Sequence, residues 1–586
     1  MTDAISRRAV LLSLMASTAM PHMALGQSAT FQPIISDWPR RQPIFAGGGM
    51  VSSQEALATR VGVEILEQGG NAVDAAVAVG FALAVTLPRA GNIGGGGFMI
   101  VHRADRKETK AIDFRETAPA SMTKTSYINE MGEADLFRSQ NTGLGVGIPG
   151  TVAGMAMALE RFGSGRFTLG KLIQPAIELA REGFLVGNDL AFSLKQAEPR
   201  LKRFESSMKI FANTDGLALP RGAELKQQDL ANTLDAIAYG GARVFYEGPI
   251  AEKMVAAVNE AGGAWRPADL KAYRAIEREV VKGQYRGHEI VSMPPPSSGG
   301  VHLIQILNLL EGFDLKAAGH NSAEALHLFA ESSKLAYADR SEYLGDPDFV
   351  TVPVKGLVSK KYAEMLRSQI DPAKARPGSS IKPGKPQPFE SDQTTHYSVM
   401  DKDGNAVACT YTLNFSYGVG MVAEGTGILM NNELDDFAAK PGVPNAYGLV
   451  GGDANAPGPG KRPLSSMSPT IIFKEGKPFL VTGSPGGSRI ITTVLQVVSN
   501  VIDHGMNIAE ATEAPRVHHQ WLPDELRVER GLSVDTVNLL KAKGHKVEVR
   551  QAMGSTHSIM MTGQGFEGAS DQRQAGTLTA GAESKR

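Results

Sequence analysis

Residues 71–87 constrain the fold more than any other stretch. They read as a helix that is apolar on nearly every face apart from Asp74. A helix with no polar face is buried between layers rather than laid on a surface. The chain must therefore build a layered interior around this segment. Its 586 residues suffice for a large core and for more than one domain, at about 100–200 residues each.

The flanking sequence is punctuated accordingly. Ser52-Ser53-Gln54-Glu55 predicts a helix start with Ser52 as cap and Glu55 as its capping-box partner. That helix should run to about Gln68 and stop at Gly69-Gly70. Four glycines at 94–97 lead into a strand over 98–102. Gly145-Val146-Gly147-Ile148-Pro149-Gly150 fits G-x-G-x-x-G, but Pro149 stands where a phosphate-binding helix would open, so the run reads as a structural loop. Helical periodicity covers 168–238 and 322–343, and residues 294–300 form a rigid turn before another helix.

After residue 393 the pattern changes. Residues 394–400 and 406–413 alternate around the turn Asp401-Lys402-Asp403-Gly404, which predicts a β-hairpin. Residues 441–460 are rich in Gly and Pro with one aromatic, Tyr447, and read as a mobile lid. Strand and helix patterns resume over 470–482 and 525–548, without tandem repeats.

Lys plus Arg is 60 and Asp plus Glu is 61, a net charge of -1, which gives no support to nucleic acid or an anionic membrane as the main partner. The single cysteine, Cys409, rules out an intrachain disulfide and reads as a small buried strand residue. At the N-terminus Arg7-Arg8 precedes an apolar stretch, then Ala24-Leu25-Gly26, the pattern of an export signal over about residues 1–26. The apolar run falls short of the roughly 20 residues of a membrane span, so no stable membrane anchor is expected. The expected location is the periplasm, with Arg7-Arg8 also compatible with the twin-arginine route. His518-His519 lacks the spacing of helical metal ligands, so neither a metal nor another cofactor is expected.

The chemistry centres on Asp392-Gln393-Thr394-Thr395-His396-Tyr397-Ser398, which follows a flexible Pro, Gly and Lys-rich stretch. A threonine hydroxyl inside a chain is a weak nucleophile with no base attached. At a new N-terminus it carries its own amine, which takes the hydroxyl proton. The run suggests a chain that cuts itself between Gln393 and Thr394 and then uses Thr394 for acyl transfer. His396 shares the strand face of Thr394, but a free amine makes a histidine base unnecessary.

These residues, together with Asn431-Asn432-Glu433-Leu434-Asp435-Asp436-Phe437, Arg462-Pro463-Leu464-Ser465-Ser466-Met467-Ser468-Pro469-Thr470, Gly483-Ser484-Pro485-Gly486-Gly487-Ser488, Asp113-Phe114-Arg115-Glu116-Thr117-Ala118-Pro119 and Gly568-Ala569-Ser570-Asp571, resemble the γ-glutamyltransferases. That family belongs to the N-terminal-nucleophile hydrolases, and the resemblance spans essentially the whole mature chain. It implies an α+β fold, a four-layer αββα sandwich of two stacked antiparallel sheets. It also implies subunits of about 27–393 and 394–586 that remain one intertwined unit. Thr394 would be both processing residue and nucleophile, and Thr412 would orient its freed amine. The α-carboxylate of the γ-glutamyl group would be held by Arg115, Ser465 and Ser466. Its α-ammonium would be held by Asn414, Glu433 and Asp436. Gly486 and Gly487 would offer backbone N–H groups to the oxyanion, and Tyr447 would cover the bound group. Asp435 would point elsewhere on an extended chain.

The implied reaction is transfer of the γ-glutamyl group of glutathione and related amides to water, an amino acid or a dipeptide. Gln572 stands where many members carry Pro, and Glu433 where some bacterial members carry Gln. The segment 414–418 keeps the Asn but leaves acceptor preference open. Two rivals are a glutaryl-cephalosporin acylase of the same superfamily and a non-catalytic periplasmic binding protein for glutamate-like ligands. The first would have little use for an ammonium-binding set, and the second would remain a single chain.

Overall fold

The alternating run after residue 393 lies where its period of two places it. The strand Thr395–Asp401 pairs antiparallel with Ala406–Thr412, Thr395 opposite Tyr411 and Met400 opposite Ala406. The structure, a computed structural model, describes residues 41–382, 394–440 and 452–583. Gln393 and Tyr447 lie outside the described residues.

This hairpin is the middle of a seven-stranded sheet in the order Leu578–Gly581, Gly49–Ser53, Thr395–Asp401, Ala406–Thr412, Gly96–Arg103, Glu108–Phe114, Ile276–Arg278. A second seven-stranded sheet runs Ile44–Ala46, Phe566–Ser570, His557–Met561, Lys477–Thr482, Thr470–Lys474, His288–Ser292, Val281–Tyr285. Every pairing in both sheets is antiparallel. Chain from both sides of residue 394 supplies strands to each sheet.

Side chains of the hairpin sheet sort by parity, as strand geometry requires. Met50, Phe98, Ile100, Met400, Ala406 and Ala408 face the other sheet and share its core. Val51, Met99, Val101, Val399, Val407 and Cys409 face the opposite way, into a core shared with helices. The helices Ala56–Glu67 and Ala72–Thr86 cover that outer face, while Gly299–Leu310 and Ile490–Ile502 share the core of the second sheet. The result is the expected αββα sandwich. Each fully buried Val, Leu or Phe in these layers contributes roughly 1.5–3 kcal/mol.

All residues of the helix Ala72–Thr86 are buried. Its lone charge, Asp74, closes the capping box with Asn71: Asn71 N–H donates to Asp74 Oδ2 at 2.9 Å, and Asp74 N–H donates to Asn71 Oδ1 at 3.0 Å. The preceding helix starts later than its sequence suggested. Ser52 and Ser53 belong to the strand Gly49–Ser53, and the cap is Glu55, whose carboxylate accepts from Leu57 and Ala58 N–H at 3.1 and 3.0 Å. Pairing with the strand Thr395–Asp401 claims Ser52, so the capping role passes to Glu55, two residues beyond the strand.

Candidate active site

Thr394 immediately precedes the central hairpin strand, and its Oγ1 donates to Thr412 Oγ1 at 3.4 Å. Thr412 ends the neighbouring strand and also accepts from Asn414 N–H at 2.8 Å. The glycine run explains how these strands come so close to the adjoining loop. A Cβ on Gly95 would stand 2.1 Å from the Thr412 carbonyl oxygen, so a side chain there would push the threonine away. Asn414 follows with φ +70, a left-handed conformation that asparagine tolerates better than most residues. Its Nδ2 donates to Asn432 O at 2.9 Å.

Asn432-Glu433-Leu434-Asp435-Asp436 was expected to be extended at Asp435. Residues Glu433–Asp436 instead form a 3-10 turn. Three residues per turn eclipse side chains at i and i+3, so Glu433 and Asp436 share one side. Asp435 does point elsewhere, but for this reason: it accepts from Ser139 Oγ at 2.5 Å. Asn431 fixes the turn from behind. Its Nδ2 donates to Gly94 O and Gly147 O at 2.8 and 2.7 Å, while its Oδ1 accepts from Gly147 and Glu433 N–H, each at 2.9 Å.

Arg115 is fully buried and reaches both acids of this turn. One guanidinium nitrogen pairs with Glu433, and the other donates to Asp436 Oδ2 at 2.5 Å. Its Nε donates to Pro463 O at 3.1 Å, which ties the Asp113–Pro119 motif to the Arg462 motif. Arg462 returns the tie through Asp113, at 3.2 Å, and through the Arg115 carbonyl, at 2.5 Å. Glu116 adds a third acid, with its Oε2 3.9 Å from Arg115. Burial alone would lower the basicity of Arg115, but Glu433, Asp436 and Glu116 together hold it above the ordinary arginine value. Burial raises all three carboxyls against the pull of Arg115, Glu116 to about 7.

Ser465 and Ser466 line the same cavity, and their hydroxyls are oriented. Ser465 Oγ accepts from Met467 N–H at 3.1 Å, and Ser466 Oγ accepts from Arg340 Nη2 at 3.1 Å. Each oxygen has an internal donor, which leaves its own O–H as a donor for an incoming anion. On another wall stand Gly487 and Ser488, at the mouth of the helix Ile490–Ile502. Gly486 and Gly487 have φ +133 and +55, backbone conformations that favour glycine, and neither N–H has an acceptor among the described residues. The helix N-terminus adds positive potential at this point.

The cavity enclosed by Thr394, Thr412, Asn414, Arg115, Glu433, Asp436, Ser465, Ser466 and Gly487 measures ≈ 20 Å³, room for about one water. The structure thus gathers the sequence-derived residues into one place, apart from Gly486, one residue behind the wall, and Tyr447 and Gln393, outside the described residues. Sequence reasoning missed Arg340 altogether and gave Glu116 no functional role beyond its place in the Asp113–Pro119 motif. Arg340 lies on the helix Ala323–Tyr343 beside Asp339, in a sequence that also carries Glu331 and Lys334. Such a helix reads as solvated, yet it is buried from Ala325 to Arg340.

Several residues are accounted for outside the site. His396 bonds to Thr410 Oγ1 at 2.8 Å and to Ser398 Oγ at 3.1 Å, and burial holds it well below the usual histidine range, so it is neutral. Burial pushes the Cys409 thiol up to about 12, which makes it inert. His518 bonds to Thr492 and Gln520, and His519 to Asp524. Among the described residues, His327, Glu331 and His545 come close enough to share an ion. That cluster is satisfied internally: His327 Nδ1 and His545 Nε2 share a 2.7 Å hydrogen bond, and Glu331 pairs with Lys334 at 2.8 Å.

The sequence matches the Gamma-glutamyltranspeptidase family over residues 58–581. The chain belongs to that family. It is 58% identical over 541 residues to the glutathione hydrolase proenzyme of Escherichia coli strain K12, covering 92% of this chain and 93% of that one. The fold matches the cephalosporin acylase of Bacillus halodurans with a TM-score of 0.81 at 28% identity, over 94% of this chain and 99% of that one. It also matches the gamma-glutamyltranspeptidase of Helicobacter pylori with a TM-score of 0.56 at 44% identity, over 60% of this chain and 97% of that one. Enzymes of the gamma-glutamyltranspeptidase family act on γ-glutamyl compounds, whose far end is an α-amino acid head with one positive and one negative charge.

Proposed function

We propose that this chain is a γ-glutamyltransferase and glutathione hydrolase that matures by cutting itself before Thr394. The observation that carries the reading is the meeting, beside the Thr394 hydroxyl, of an arginine and serine set with a carboxylate set. A γ-glutamyl group is the acyl donor whose far end needs both.

In maturation, Thr394 Oγ1 attacks the Gln393 carbonyl carbon. The peptide C–N bond breaks as the C–O ester bond forms, and the proton from oxygen ends on the Thr394 nitrogen. Water then hydrolyses the ester and leaves Thr394 with a free α-amine. In catalysis that amine accepts the Oγ1 proton while Oγ1 attacks the γ-carbonyl of glutathione. Thr412, whose Oγ1 lies beside Thr394, orients the amine. The N–H groups of Gly486 and Gly487 receive the oxyanion, and one such donor is typically worth about 3 kcal/mol. The departing cysteinylglycine amine takes the proton back. Water, an amino acid or a dipeptide then attacks the γ-glutamyl ester and restores the threonine. The products of the cut, about 27–393 and 394–586, stay together because both supply strands to both sheets. We also propose that residues 1–26 direct the chain to the periplasm, which cell fractionation tests.

Sequencing the smaller band of a denaturing gel tests the central claim. It should begin Thr-Thr-His-Tyr, and any other start reassigns the nucleophile. Turnover on γ-glutamyl anilide should exceed that on glutaryl anilide, which lacks the ammonium that Asn414, Glu433 and Asp436 receive. The reverse order would make the chain an acylase.

A further inference from the structure

The cavity beside Thr394 has two chemically distinct ends. One holds Glu116, Glu433 and Asp436 around Arg115. The other holds a second guanidinium, Arg340, which is buried and forms no ion pair among the described residues. Its partners are neutral hydroxyls: Nε donates to Ser298 Oγ at 2.8 Å and Nη2 to Ser466 Oγ at 3.1 Å. Burial brings its basicity down to about 10, despite the nearby Tyr337 and Asp436. A buried cation without a carboxylate partner is costly unless something supplies the missing anion.

The hydrogen-bond directions say where that anion would sit. Ser298 accepts from Arg340 and donates onward to Ser465 O at 2.8 Å, which locks the guanidinium to the serine loop. Ser466 accepts from Arg340, so its own proton is the one turned toward the cavity. We propose that Arg340 is a positioning residue for the substrate α-carboxylate: through Ser298 and Ser466 it aims the serine hydroxyls and supplies the balancing charge. Arg115, already paired with Glu433 and Asp436, sits at the junction of the two ends. An α-amino acid head would place its ammonium against the acids and its carboxylate at the Arg340 end. This role rests on the γ-glutamyl reading given above.

The test compares two acyl donors on the mature enzyme: γ-glutamyl anilide and 4-aminobutanoyl anilide, which keeps the ammonium but lacks the carboxylate. Arg340→Met should lower kcat/KM on the γ-glutamyl donor by on the order of 10²-fold, chiefly through KM, the size expected for losing hydrogen bonding to a charged group. The same variant should leave turnover of the 4-aminobutanoyl donor nearly unchanged. Arg340→Lys, which keeps the charge, should recover part of the loss. Ser298→Ala, which only loosens the guanidinium, should show the same donor selectivity in weaker form. Appearance of both subunit bands shows that a variant has folded. If Arg340→Met does not mature, the Lys and Ser298→Ala variants carry the comparison. An equal loss on both donors, or no loss on either, overturns the role of Arg340. A wild-type enzyme unable to turn over γ-glutamyl anilide would instead overturn the functional reading itself.

Discussion

Arg115 donates to Asp436 at 2.5 Å, joining residues that stand 321 positions apart in the chain. Glu433 completes the pair from the same 3-10 turn. The residues proposed for the substrate's carboxylate and those proposed for its ammonium therefore neutralise one another while the cavity holds no more than a water's volume. Substrate binding then becomes an exchange of ion pairs, in which the zwitterionic head replaces the internal contacts with equivalent ones.

That exchange makes Asp436 a demanding position. Asp436→Ala removes one acid from a buried guanidinium, and breaking such a pair costs roughly 3–5 kcal/mol. We expect kcat/KM on γ-glutamyl anilide to fall by about two to three orders of magnitude, at about 1.4 kcal/mol per tenfold, with a measurable loss of thermal stability. Steady-state kinetics and a melting curve check both. A loss of less than tenfold would remove Asp436 from the ammonium site.

Thr394→Ala should yield one band on a denaturing gel and no turnover, because neither the attacking oxygen nor the ester forms. Thr394→Ser keeps the hydroxyl and should mature and react, more slowly. Activity in the alanine variant would end the proposed mechanism.

Gly95→Ala tests how the nucleophile is placed. The added methyl would lie 2.1 Å from Thr412 O and 2.8 Å from Asn92 Oδ1. Overpacking of this kind costs about 1–3 kcal/mol, and the strand that carries Thr412 has to move. We expect the half-time of self-cleavage to lengthen and kcat to drop more than KM rises. A variant that matures at the wild-type rate would show that Thr412 does not need its present position.

Glu116 predicts a pH effect on the uncut chain. Burial pushes its carboxyl from the ordinary 4.5 up to about 7. Between those values the folded chain keeps a proton that the unfolded chain has released. The stabilising contribution is thus full below about pH 4.5 and gone above about pH 7, with a slope of at most about 1.4 kcal/mol per pH unit for one proton. Denaturant unfolding of the Thr394→Ala precursor should lose stability across this window more steeply than the same precursor carrying Glu116→Gln. Buried acids away from Arg115, such as Asp339 at about 6, titrate alike in both chains, so the difference curve reports Glu116 together with its coupled neighbours Glu433 and Asp436. Parallel curves would contradict the assignment.

Local periodicity carried a large share of the fold. The apolar run at 72–86, with Asp74 its lone charge, the hairpin opening at Thr395 and the strand patterns after 470 are features a backbone expresses over a few residues, and each lies within a residue or so of where its pattern places it. The Ser52 cap failed because sheet pairing with a strand some 350 residues later claimed that serine.

The sequence alone pointed to the proposed nucleophile and determined the strand beside it and the motifs that surround it, since those depend on residue type and short-range spacing. Only the tertiary structure decided that Arg115 spends its charge on Glu433 and Asp436, that a 3-10 turn puts those two acids on one side, and that Arg340 stands buried behind Ser466. The physical reason is range: a period of two is written into neighbouring residues, whereas the partner of a buried charge is chosen by whatever distant segment packing brings within about 3 Å.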